Sequence, residues 1–103
     1  MKPIVIISTY PNKKSITTIA HELVQNKIVA CVNIAKISSI YSWHFKIENS
    51  SEYIAIFKTT QKNKKILKEK IKATHPYDIP EIIEIGVASI NKSYLKWLVE
   101  STT

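Results

Sequence analysis

Two positions carry the side chains best suited to chemistry: the single thiol, Cys31, and the segment His75-Pro76-Tyr77-Asp78-Ile79-Pro80-Glu81. The two prolines fix φ and push the residues before them towards extended backbone, so a helix cannot run through the segment. Between and beside them stand an imidazole, a phenol and two carboxylates. A plain connector would need only Gly, Asn or Ser, and a rigid loop bearing ionisable groups is where function collects. Thiolate and imidazole together suit copper or zinc, so Cys31 and His75 are the expected metal ligands. The competing reading of Cys31 is a small buried hydrophobe in a strand, since one cysteine cannot build a site alone. In an oligomer, several copies of Cys31 and His75 could act together or at separate sites.

The order of elements shows how these residues must be held. Pro3 to Thr9 is an apolar run, as in a strand buried on both faces. Asn12 is an N-cap, and Ile16, Ile19, Ala20, Leu23 and Val24 form one stripe of a helix. Val29 to Trp43 is rich in β-branched residues and long enough to require a bend or bulge near Lys36 to Ser39. Glu48-Asn49-Ser50-Ser51-Glu52 has the residue types of a hairpin turn, and Tyr53 to Thr59 reads as the return strand. Gln61 to Thr74 is a second helix with Ile66, Leu67 and Ile71 facing inwards. Glu81 to Val87 is a fourth strand, with a bulge expected at Gly86. Asn91 caps a closing helix carrying Tyr94, Leu95, Trp97 and Leu98.

This order is βαββαβ plus a C-terminal helix: an α+β, ferredoxin-like sandwich in one domain spanning 1–103. The long hairpin of the second and third strands should overhang the sheet and leave an open edge, which a second copy of the chain would cover. A homo-oligomer is therefore expected.

Composition excludes several classes. No apolar run approaches the roughly 20 residues of a membrane helix, and Ile4 to Ile7 is too short for a signal-peptide core. One cysteine excludes an intrachain disulfide and points to a reducing cytoplasm. The net charge of +7 comes from fifteen lysines and no arginine. Arginine is the residue suited to bidentate phosphate and base contacts, so this charge reads as a solvated surface rather than a nucleic-acid site. There is no glycine-rich phosphate cradle, no serine elbow, no arginine for acylphosphatase-like chemistry, and no aromatic-glycine signature of an RNA-recognition domain. No enzyme and no organic cofactor is expected.

Five segments in order, Ala30-Cys31-Val32-Asn33-Ile34, Ser39-Ile40-Tyr41 with Trp43, Lys58-Thr59-Thr60, His75 to Ile83, and Tyr94-Leu95-Lys96-Trp97-Leu98, resemble the CutA family of divalent-cation-tolerance proteins. The resemblance runs from Ile4 to the C-terminus. It implies a tight homotrimer similar in architecture to the PII signalling proteins, and a cytoplasmic role in the response to copper and other divalent metal ions without a known reaction. It also implies that Tyr41, Trp43, Lys58, Tyr77, Asp78 and Glu81 converge on a cleft between subunits. A lysine and carboxylates between aromatic walls would suit a small anionic or metal-complexed ligand. One departure stands out: after the tryptophan the family has one residue and then Gly-Lys, whereas here His44-Phe45-Lys46 follows. A different local turn is expected, because the glycine that reaches positive φ easily is gone.

Overall fold

The computed structural model describes all residues, Met1–Thr103. Four strands, β1 (Pro3–Tyr10), β2 (Cys31–Trp43), β3 (Lys46–Thr60) and β4 (Ile83–Gly86), form one antiparallel sheet in the order β2-β3-β1-β4. The helices are α1 (Lys13–Gln25), α2 (Lys64–Thr74, preceded by a 3-10 turn at Gln61–Asn63) and α3 (Lys92–Ser101). Each crossover helix returns the chain past one intervening strand, the split-βαβ arrangement expected from the element order.

The core lies on one face of the sheet. Ile4, Ile6 and Tyr10 of β1 and Ala55 and Phe57 of β3 pack under Ile16, Ile19 and Leu23 of α1 and Leu67 and Ile71 of α2. Ile16, Ile19, Ala20 and Leu23 of the expected α1 stripe are buried while Val24 is exposed, and the Asn12 side chain accepts the Ser15 N–H at 2.9 Å as the N-cap. Ile66, expected to face inwards, is instead 43% exposed. The 3-10 turn delays the start of α2 to Lys64, so its inward stripe is Leu67 and Ile71.

The alternate residues of the sheet face away from α1 and α2. Ile83 sits beside Ile7, and Ile85 beside Val5. Ile7 pairs with Ile56 and Thr9 with Ile54, extending the same apolar face across β3. Helix α3 covers only its far end, where the Lys58 ammonium lies 5.9 Å from the centroid of the Tyr94 ring. Ile83 and Ile85 remain exposed.

The hairpin differs from expectation. β2 and β3 pair without interruption from Cys31↔Lys58 to Trp43↔Lys46, with no bulge between Lys36 and Ser39. The turn is His44-Phe45, and Glu48 to Glu52 lies inside β3. Asn49-Ser50-Ser51 has the chemistry of a turn, but cross-strand pairing prevails over that local preference. His44 and Phe45 both take positive φ, 49° and 64°, as a two-residue turn of this hand requires. A left-handed turn thus forms here without a glycine. β1 stops opposite Tyr53, so β3 from Lys46 to Glu52 and its β2 partner project as an arm. Gly86 pairs in register with Ile4 and forms no bulge. β4 is confined to Ile83–Gly86, which leaves Glu81 in the preceding loop.

Candidate functional site

The proline loop is anchored by His75. The residue before a proline must be extended, and His75 ends α2 at φ −72°, ψ 134°. β4 reaches only Ile7 along β1, so the end of β1 beyond it has no strand partner on that edge. His75 takes that place: its Nε2–H donates to the Thr9 carbonyl at 2.8 Å, with the Ser8 hydroxyl at 3.2 Å. Its Nδ1 accepts the Tyr77 backbone N–H at 3.1 Å, and its ring stacks on Tyr10 with centroids 4.2 Å apart. These bonds assign the tautomer and occupy both nitrogens. Burial holds the imidazole below its ordinary value, against opposing pulls from the Thr9 carbonyl and the Glu52 carboxylate. Burial also pushes the Tyr10 phenol beneath it up to about 12, with the nearby Ser8 side chain pulling the other way.

A stability consequence follows from the His75 shift. The folded value lies below the unfolded value of 6.5, so the unfolded chain takes up the proton first. The contribution is at its maximum above pH 6.5 and declines as the pH falls from there through the folded value. Urea midpoints measured between pH 7.5 and 5 are expected to fall in the wild type and to flatten in His75→Gln.

From this anchor the loop reaches a cleft of about 700 Å³ on the open face, lined from the base of the arm out to Trp43 beside its turn. Tyr41 and Trp43 of β2, Glu52 and Ile54 of β3, and Tyr77, Asp78, Ile79 and Glu81 of the loop line it. Glu52 is only 9% exposed, and its Oε2 accepts the Tyr77 hydroxyl at 2.8 Å. Burial and this carboxylate push the Tyr77 phenol far above its ordinary range, so it stays a proton donor. Burial, together with the nearby Glu52, also raises Glu81 above its ordinary value. Two carboxylates thus repel one another across a partly desolvated cleft.

Of the residues expected here, Tyr41, Trp43, Tyr77, Asp78 and Glu81 do converge. Lys58 does not: it lies six residues along β3 from Glu52, about 20 Å away, and rests over Tyr94. Cys31 is its cross-strand neighbour, half-buried, with its Sγ 3.6 Å from the Asn33 Oδ1. Cys31 and His75 are not brought together, and no three metal-ligating side chains converge within one subunit. Glu52 is the cleft residue that the sequence reading placed elsewhere, in the hairpin turn. Its signal was parity, two residues before Ile54 on the face that Ile54 and Ile56 share.

A family model for the CutA1 divalent ion tolerance protein matches residues 4–101. The divalent-cation tolerance protein CutA of Pyrococcus horikoshii is 40% identical over 99 residues, covering 96% of this chain and 97% of that protein. A crystal structure of CutA1 from that organism superposes with a TM-score of 0.92, covering 97% of this chain and 98% of that one. Two further relatives correct the expected compartment. A CutA of Arabidopsis thaliana, 40% identical over 96% of this chain and 55% of its own length, is named chloroplastic. The structure from Archaeoglobus fulgidus is of a periplasmic divalent cation tolerance protein, 33% identical, with a TM-score of 0.93 over 98% of this chain and 99% of that one. These names point away from a purely cytoplasmic location. A lone cysteine excludes only an intrachain disulfide, so it does not distinguish between compartments. The chain belongs to the CutA1 family of divalent ion tolerance proteins.

Proposed function

We propose that this chain works as a homotrimer that binds divalent cations, copper among them, without catalysing a reaction. The cation is taken at the carboxylates of the cleft rather than at His75. The observation that carries this reading is that Glu52, Asp78 and Glu81 all line one cleft that contains no lysine or arginine, although they stand too far apart to hold an ion by themselves. Burial first and the Glu52 charge second raise Glu81, and an added cation there offsets both. Carboxylate oxygens accept many divalent ions, and soft thiolate favours copper(I), so Cys31 is a separate and weaker candidate ligand. Since the donors of one subunit do not close into a cluster, water or a neighbouring subunit completes the coordination shell.

His75 fits the role of positioning residue. To ligate, it would have to give up the Tyr77 N–H or the Thr9 carbonyl, and the loop would lose its anchor. A small anionic ligand, the other reading of the cleft, lacks its cation because Lys58 lies over Tyr94. Trimer formation is supported by the exposed apolar sheet face and by an arm that its own subunit leaves unpaired. The test is a copper titration of chelator-stripped protein beside Glu81→Gln, whose affinity is expected to fall at least tenfold. Removing a carboxylate whose ionised form is disfavoured is also expected to raise the variant's stability above pH 4.5.

A further inference from the structure

Glu52 is the one acidic side chain buried in this protein, and it has no cationic partner. The ion pairs of the chain use Glu84 and Glu22 instead. Its Oε2 accepts the Tyr77 hydroxyl, Oε1 accepts no hydrogen bond, and the residue lines the cleft. Burying a carboxylate without a counter-charge is costly. The cleft is therefore short of a cation that its own chain does not supply.

The rest of the lining narrows the shape of that cation. None of the fifteen lysines lines the cleft, while three of the eight acids, Glu52, Asp78 and Glu81, do. These carboxylates do not close on one point, so a bare ion reaches only part of them. A cation whose charges are spread along a chain reaches all three. Ile37, Ile40, Ile54 and Ile79 supply apolar walls, with Ile40 and Ile79 each 74% exposed. Trp43 adds a half-exposed ring, and an aromatic face attracts an ammonium group. The volume of about 700 Å³ lies within the roughly 300–1,000 Å³ of small-molecule sites. We propose that the cleft binds a linear aliphatic polyamine, with its ammonium groups at the three carboxylates and its methylene runs along the isoleucines. Such a molecule combines the two kinds of partner that this lining combines. The polyamine shares the cleft of the preceding reading and rests on none of its metal chemistry, although copper would compete for the same carboxylates.

The experiment titrates spermidine calorimetrically into the metal-stripped full chain, beside Asp78→Asn and Trp43→Leu. Saturable binding with a whole-number stoichiometry per subunit is expected in the wild type. Asp78→Asn removes one charged partner from an exposed loop position and is expected to bind at least tenfold more weakly. Trp43→Leu changes no charge and is expected to bind about two- to fivefold more weakly. Heat that does not saturate, or equal affinity in all three proteins, would overturn the site and leave only a polycation attracted to an acidic surface. A second measurement needs no variant to fold: nuclear Overhauser contacts from spermidine methylenes to the Trp43 indole and the Ile79 methyls. They are expected in the wild type, and their absence at saturation would also overturn the site. Copper binding without spermidine binding overturns the polyamine and spares the metal reading. Spermidine binding without copper binding does the opposite.

Discussion

Tyr77→Phe is expected to destabilise the protein by about 1.5–2 kcal/mol, the lower part of the range for hydrogen bonds to a charged group, because Tyr77 is only half-buried. The substitution removes one oxygen and little else. Its cost arises at Glu52, which is 9% exposed and has the Tyr77 hydroxyl, at 2.8 Å, as its side-chain hydrogen-bond partner. Left behind, the carboxylate has lost its donor and has Glu81 close enough to raise that group's pKa. Glu52→Gln removes the charge instead, so the double variant is expected to cost less than the sum of the singles, with a coupling of at least about 0.5 kcal/mol. Urea denaturation of the four proteins closes the cycle. Additive costs would mean that the bond does not brace the loop against β3.

Ile83→Asp is expected to convert the proposed trimer to monomers while the subunit stays folded. Ile83 is exposed on β4, so a charge there costs an isolated subunit little. It lies beside Ile7 on the apolar face left open by α1 and α2, where a neighbour is proposed to pack. Burying an unpaired carboxylate costs several kcal/mol; about 3 kcal/mol corresponds to roughly a hundredfold weaker association. Light scattering gives the mass, and far-UV circular dichroism shows whether the sheet persists. A variant that remains trimeric would show that this face is not the interface.

Much of the scaffold was legible because periodicity and burial agree. The α1 stripe from Ile16 to Leu23 is buried as spaced, and the His75 to Glu81 loop does wall the cleft. The arm was misread where local chemistry and pairing disagree. Asn49-Ser50-Ser51 has the composition of a turn, whereas the true turn, His44-Phe45, has neither glycine nor asparagine to announce its positive φ. That misplacement hid Glu52, which as a turn residue would be solvated and as a strand residue is buried in the cleft. The position of Lys58 was readable in principle. Six residues of extended strand separate it from Glu52, but such a distance can be used only once the hairpin register is known. The bonds that occupy His75 could not be read, because the Thr9 carbonyl becomes available only where β4 stops short of it.

The most direct measurement is a calorimetric titration of copper into chelator-stripped wild type, Glu81→Gln, Cys31→Ser and His75→Gln, each first checked for fold and mass. A cleft carboxylate site requires a whole-number stoichiometry per subunit in the wild type, an affinity at least tenfold lower in Glu81→Gln, and a site that survives in Cys31→Ser. Wild-type affinity in Glu81→Gln, with binding lost in Cys31→Ser or His75→Gln, would contradict it and place the metal on the thiol or the imidazole.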